Sequence, residues 1–362
     1  MTPSSLNTPL VRTPSQPVLM VEGDDPRAEI WKAIQAVYRF PSLYAMARFD
    51  LAGLLKDGPR TAADLAAACG VRPDQLTRVL RALVAMGFLD AAGQDGAGAY
   101  ALNERGAVLL SDEPGSMRWA ILSTGEPGSW NAMSGIVDAV RDGVSPFVVQ
   151  HGSMYGYLEG NPEAASDFDA FMASRSSDAA NALVGAYDFA GVRTVTDVGG
   201  GTGIVLSTVM AAHPQIHGTL LDLEHVVERA EPTFRDRGLA DRCTFAPGDY
   251  FAQVPAGADV YVLSNIVHNL DRADAVRLLR NVRAAMREDS RVLALDILLP
   301  DDGRAHFGFD LNIRMMALFP GGEERDRGEY EAVLREAGLH VTDVIALPGT
   351  PLSAVEAVPG PA

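Results

Sequence analysis

The sequence predicts an α/β protein: a parallel sheet covered by helices on both sides in the C-terminal half, preceded by a small, mostly helical unit. Three observations predict it. After Gly191, apolar runs of strand length alternate with amphipathic helical stretches, and that alternation builds a parallel sheet. From about Ala28 to Ser111, helix caps and helical spacing end in a short ribbon pattern. The length, 362 residues, suits two or three domains rather than one.

Residues 1–25 are rich in Pro, Ser and Thr and lack the charged start and apolar stretch of a signal peptide, which reads as a disordered arm. Within 26–112, Thr61-Ala-Ala-Asp64 resembles a capping box with Asp in place of Glu, opening an Ala/Leu-rich helix that ends at Gly70. A second helix follows Pro73, with Leu76, Val79, Leu80, Leu83 and Val84 at helical spacing. Phe88-Leu89 and Tyr100-Ala-Leu102 flank a Gly-rich turn and complete a winged-helix pattern. Residues 113–190 read as helices with breaks at Gly125–Gly128 and Gly152–Gly156. In 191–352 the expected strands are Thr194–Val198, Gly218–Leu223, Ala258–Leu263 and Val292–Leu298, with helices such as Ala273–Met286 between them. Residues 353–362 read as a flexible tail.

Hydrophobic residues make up 47% of the chain and charged residues 21%, which is globular composition. The formal net charge of −17 repels nucleic acid and anionic lipid and slightly disfavours a polyanionic substrate. A winged helix can bind DNA, but the stretch Asp74 to Met86 carries only Arg78 and Arg81 as basic residues, so a packing or dimerisation role fits better. Cys69 and Cys243 are far apart and lack metal-ligand spacing, which speaks against a disulfide framework and a zinc site. No apolar run reaches roughly 18 residues. The expectation is a cytoplasmic protein with no nucleic-acid or membrane partner.

Asp197-Val-Gly-Gly-Gly-Thr-Gly203 follows a β-branched run and precedes the apolar helix Ile204–Ala212. Glycines permit a tight strand-to-helix turn and close approach of a ligand to the backbone. The next strand ends at Asp222, whose carboxylate can accept from both hydroxyls of a ribose. Such a pair fits NAD or S-adenosylmethionine. The detail favours the second, because an acid at the start of the loop suits ammonium and sulfonium groups and would repel a pyrophosphate. In Pro247-Gly-Asp-Tyr-Phe251, Asp249 can accept from an adenine amino group and Tyr250 can cover the ring.

Together with Asp222-Leu-Glu-His-Val226, Ile266-Val-His-Asn-Leu270 and Pro320-Gly-Gly-Glu-Glu-Arg325, these motifs resemble the small-molecule O-methyltransferases of the caffeate and hydroxyindole type and their bacterial relatives in antibiotic pathways. Pro146-Phe147 with His151-Gly152, and Phe168-Asp-Ala-Phe-Met172, also fit, so the resemblance spans roughly Glu29 to Leu339. It implies a Rossmann-like methyltransferase domain, an N-terminal winged-helix domain used for homodimerisation rather than DNA, and S-adenosyl-L-methionine held by Asp197, Gly199, Gly201, Asp222, Asp249, Tyr250 and Ser264. The family often has Lys where this chain has Ser264, so a contact to the cofactor carboxylate is expected to be weaker or shifted.

His268 falls between an apolar strand and a helix capped by Asp271, at the carboxyl edge of the sheet. Imidazole titrates near neutrality and can take a proton from a phenol or enol as its oxygen attacks a methyl group. The resemblance implies that Asp296 and Glu324 orient this base. Asp296 stands where plant members have Glu, so its contact is expected to be lost or made through water. Asn269 and Leu270 replace the usual Asp and Trp. The resemblance also places Phe147, Met172, Met315, Met316 and Phe319 against a small-molecule acceptor, where Met and Phe suit an aromatic or polyketide-like surface. His225 invites pairing with His268 in a metal site, but the family commonly has His there, and no metal is expected. Three other readings stand beside hydroxyl methylation: transfer to carbon or nitrogen, a cyclase or hydroxylase on the same scaffold, and a transcription factor using the winged helix.

Overall fold

The computed structural model describes residues 25–92, 98–113 and 115–361. The arm expected over 1–25, apart from Asp25, and the turn of the ribbon lie outside the described residues. The chain divides into two compact units, one ending at Glu113 and the other starting at Pro114.

The first unit opens with the helix Pro26–Arg48, whose first turn is capped by the Asp25 carboxylate accepting from the Arg27 amide. The capping box at Thr61 is present: its hydroxyl accepts from the Asp64 amide and the Asp64 carboxylate accepts from the Thr61 amide. That helix, Ala62–Cys69, stops at Gly70, which is left-handed at φ 66°. Leu76, Leu80 and Leu83 form the buried stripe of Pro73–Ala85. The ribbon strands Leu89–Ala92 and Ala99–Leu102 pair antiparallel, and Arg60–Thr61 adds to the outer edge. Two helices followed by a ribbon give the winged-helix pattern.

The second unit begins with short helices from Arg118 to Gly160 and the long helix α1 (Pro162–Ala186). Its core is a sheet of β1 (Thr194–Val198), β2 (His217–Asp222), β3 (Cys243–Pro247), β4 (Val260–Ser264), β5 (Arg291–Asp296), β6 (Leu339–Ala346) and β7 (Ser353–Pro359). The strand order is β6-β7-β5-β4-β1-β2-β3. Strands β1 to β5 run parallel, and β7 is antiparallel to both of its neighbours. Connecting helices include α2 (Ile204–Ala212), α3 (Glu224–Asp236), α4 (Arg272–Ala285), α5 (Phe307–Leu318) and α6 (Arg327–Glu336).

The central strands β4 and β5 are buried on both faces and are accordingly near-continuous apolar runs. Val260 and Val262 of β4 and Leu293 and Leu295 of β5 pack with α1, α2 and α3. Tyr261, Leu263, Val292 and Ala294 point the other way, against α4 and α6.

The tail expected to be flexible over 353–362 is instead, from Ser353 to Pro359, the interior strand β7 between β6 and β5. Ala354, Val355 and Ala357 are buried in it. Glu356 is tied down by Tyr187, Thr342 and Arg291. The short run of small residues and its closing Pro resembled a linker, but hydrogen bonding on both edges overrides that local signal.

The strand order reverses between β1 and β4. In open α/β sheets, ligands bind in the crevice beyond the carboxyl ends of the strands at such a point. The Gly-rich loop after β1 and the His268 turn after β4 both emerge there.

Candidate active site

Asp197 lies at the end of β1, 1% exposed. Neither of its carboxylate oxygens has a hydrogen bond among the described residues. Burial, reinforced by the nearby charge of Asp222, pushes its pKa up to about 7, and the Leu206 backbone offsets only part of this. A buried acid left without a donor is costly unless a cationic group comes to it. Gly199 is left-handed at φ 69°, and a Cβ there would sit 2.8 Å from Ile266 and 3.5 Å from Tyr250. Only glycine keeps that cradle open.

Asp222 ends β2. Its Oδ2 accepts from the Gly201 amide at 2.8 Å and its Oδ1 from the Leu223 amide at 2.7 Å, which fixes the carboxylate against the loop. Each oxygen keeps lone-pair capacity for a ribose hydroxyl. The Gly248 amide donates to the Asp222 carbonyl, which brings the Gly-Asp-Tyr turn alongside. There the Asp249 carboxylate accepts from the Phe251 amide, and Tyr250 packs edge-on against Phe251. Burial raises the Tyr250 phenol to about 12, and Tyr155 and Asp222 add to the shift. Tyr155 was missed from the sequence. The residue is 64% exposed, yet burial of its phenol, helped by the nearby charge of Asp222, raises its pKa.

His268 occupies a short 3-10 turn, Val267–Asn269, and is buried. Its Nδ1 lies 2.7 Å from Glu324 Oε1 and 4.0 Å from Asp296 Oδ1. Glu324 therefore makes the contact, and Asp296, one methylene too short, does not. Tyr330 donates its hydroxyl to Asp296 Oδ2 at 2.7 Å instead. Burial raises the Asp296 carboxyl to about 6, with His268 and Tyr330 pulling it back. With Nδ1 engaged by Glu324, Nε2 is the nitrogen left to act, and it has no partner among the described residues.

The loop carrying Glu324 is locked to the histidine turn. The Glu323 amide donates to the His268 carbonyl. The buried Arg325 donates to the carbonyls of Val267 and Leu270. A Cβ on Gly322 would lie 2.8 Å from Phe319 Cβ, which explains the glycine there. The Glu324 amide is held by Asn312 of α5.

Ser264 ends β4 and accepts from the Asn265 side chain at 3.2 Å. Asn265 is buried with φ 54° and accepts from Arg175 of α1 at 2.9 Å. Neither Asn265 nor Arg175 was singled out in the sequence, although an arginine amid the small residues of Ala173–Ala180 was a readable signal. Of the expected acceptor residues, Met315 and Phe319 lie against Gly322, beside the histidine turn. Met172 and Met316 are half-buried. Phe147 is fully buried with Ala132, Met154 and Leu318, so it supports the wall as core.

The comparisons fit this geometry. Residues 133–340 match the model of an O-methyltransferase domain, and residues 31–112 match that of an O-methyltransferase dimerisation domain. The chain belongs to the O-methyltransferase family. It is 35% identical to the mitomycin biosynthesis 6-O-methyltransferase of Streptomyces lavendulae over 325 residues, 89% of this chain and 92% of that protein. The structure of the mitomycin 7-O-methyltransferase MmcR matches with a TM-score of 0.86 at 34% identity, over 92% of this chain and 97% of that one. An O-methyltransferase from neocarzinostatin biosynthesis, in complex with S-adenosylmethionine and 2-hydroxy-5-methyl naphthoic acid, matches with a TM-score of 0.77 at 32% identity, over 88% and 95% of the two chains.

The buried acids of this O-methyltransferase carry a pH prediction. An aspartate in the unfolded chain titrates at about 4. In the folded protein Asp197 keeps its proton to about 7 and Asp296 to about 6. The folded state thus binds more protons in that window, so stability is greatest at its acid end and is lost as pH rises through it. Thermal unfolding should show the ligand-free protein losing stability as pH rises from about 4 to about 7. Asp197→Asn should flatten much of that slope; equal slopes in both proteins would mean that Asp197 is not its source.

Proposed function

We propose that this protein moves the methyl group of S-adenosylmethionine to a hydroxyl oxygen of a small aromatic or polyketide-like acceptor, with His268 as general base. The observation that carries the reading is the His268–Glu324 pair at 2.7 Å, set beside the Gly-rich loop with Nε2 left free.

The residues present fit the cofactor. Asp197 offers an unpaired buried carboxylate to its ammonium and sulfonium region, and Asp222 accepts from the ribose. Asp249 accepts from the adenine amino group, with Tyr250 and Tyr155 against the ring. Gly199 and Gly201 leave room for the chain, and Ser264 with Arg175 faces the carboxylate end. When bound, S-adenosylmethionine supplies a methyl carbon on a positively charged sulfur, open to in-line displacement. The protein then has two tasks: aligning the acceptor oxygen and removing its proton. Nε2 of His268 takes that proton while Glu324 stabilises the resulting imidazolium through Nδ1. A group of this kind is what a hydroxyl acceptor requires, which favours oxygen over carbon or nitrogen.

The dimerisation domain supports a homodimer, and the acidic surface disfavours nucleic acid and membranes as partners. No described helix is long and apolar enough to cross a membrane, and we place the enzyme in the cytoplasm. The test is incubation with methyl-labelled S-adenosylmethionine and a panel of hydroxylated aromatics. A product heavier by one methyl, with the label on oxygen by NMR, is expected; label on nitrogen or carbon would overturn the assignment.

A further inference from the structure

Two carboxylates face one imidazole, and they do so differently. Glu324 Oε1 lies 2.7 Å from His268 Nδ1, and Asp296 Oδ1 lies 4.0 Å from it. The first is a hydrogen bond; the second is too long for one but close enough for charge to act. Asp296 Oδ2 accepts from the Tyr330 hydroxyl at 2.7 Å. Among the described residues, only Tyr330 hydrogen-bonds the Asp296 side chain.

Both ends of this bond are fixed. Asp296 closes β5, 1% exposed, with its backbone in register with Ser353 of β7. Tyr330 lies on α6, in one buried cluster with Val267 of the histidine turn and with Val333 and Leu334 of its own helix. The capping box of Asp326 and Glu329 starts that helix directly after the Glu324 loop. Burial and the charge of Asp296 hold the phenol well above its ordinary range, so the hydroxyl stays a donor.

The groups facing Asp296 are His268, Glu324, Arg325 and Tyr330, and Arg175 feels its charge. Burial opposes its ionised form and Glu324 adds to this, while His268, the Tyr330 hydrogen bond and Arg325 favour it. Arg325 commits its guanidinium to the carbonyls of Val267 and Leu270. A buried carboxylate that accepts a hydrogen bond keeps its charge more readily than one with no donor. A charge already in place when the imidazolium forms needs no reorganisation.

We propose that Tyr330 is a positioning residue for the base: its hydroxyl holds Asp296 as an unbonded counter-charge beside His268, so that Glu324 orients the ring and Asp296 supports the positive charge it acquires. This rests on the methyl-transfer reading above.

The test is the pH–rate profile of Tyr330→Phe, which removes one oxygen and keeps the ring. Without its donor, Asp296 takes up a proton at higher pH and the imidazolium loses a counter-charge. The acid limb of kcat/KM should move to lower pH by about one pH unit, the low end of what an opposite charge at such a distance supplies. One pH unit is about tenfold in proton affinity, and the proton is only partly transferred in the transition state, so kcat should fall roughly threefold to tenfold at unchanged KM. Asp296→Asn should move the limb equally, and the double variant no further than either. Affinity for S-adenosylhomocysteine should stay the same in all three. A limb that stays in place in Tyr330→Phe overturns the inference. So does a limb that moves to higher pH, since Tyr330 would then serve to keep Asp296 off the ring. Additive shifts in the double variant also overturn it, because Tyr330 would then act without Asp296. Should Tyr330→Phe lose its fold, Asp296→Asn decides: an unmoved limb there removes the counter-charge and the role of the hydroxyl with it. If the wild type methylates no hydroxyl, the methyl-transfer reading falls, and NMR titration of the His268 ring in the S-adenosylhomocysteine complex reads the same displacement in its place.

Discussion

His268→Ala should cut turnover by about a hundredfold or more while leaving affinity for S-adenosylhomocysteine nearly unchanged. The ring has one nitrogen committed, with Nδ1 at 2.7 Å from Glu324, and the buried pair fixes its orientation. Removing the imidazole removes the proton acceptor without touching the Gly-rich loop, Asp222 or the Gly-Asp turn. The loss should therefore fall on the rate constant. Rates measured with saturating cofactor on any hydroxyaromatic that the wild type methylates would decide it. Near-normal turnover in a folded His268→Ala protein would remove His268 as the base and leave the pair a structural contact.

Asp222→Ala should weaken S-adenosylhomocysteine binding by roughly a hundredfold, since two hydrogen bonds to a charged group contribute about 1.5–3 kcal/mol each and part of that is recovered by water. Two effects combine. The ribose loses its acceptor, and the Gly201 and Leu223 amides lose the carboxylate that holds the loop. Asp222→Asn separates them, because its amide oxygen can still accept from one backbone donor while the charge is gone. Calorimetric titration of both variants would measure this. Unchanged affinity in Asp222→Ala would move the ribose site away from the end of β2.

Four of the five parallel strands were legible, Thr194–Val198 as a β-branched run and Val260–Leu263 as an unbroken apolar one; β3 (Cys243–Pro247), at the sheet's edge and only half-buried, was not. Strand β7 was not, because its partners β5 and β6 are distant or antiparallel and its residues are small. Site residues carried on the strand ends and the Gly-rich loop were readable from spacing. The division of labour between the two acids was only half readable: the shorter Asp296 signalled a lost contact, but nothing local announced that Tyr330 would claim it. Arg175 escaped notice because it reaches Asn265 from α1, far away in sequence. Tyr155 left none, since an exposed tyrosine on a short helix reveals nothing until Asp222 is seen beside it.

The most direct test of the account is calorimetric titration of the purified wild-type protein with S-adenosylhomocysteine, with NAD and a DNA duplex as controls. Tight binding of one S-adenosylhomocysteine per chain, with neither control bound, is the predicted result. No binding would contradict the account, because the unpaired Asp197, the open Gly199 cradle and the fixed Asp222 would then be features of a scaffold that holds no cofactor.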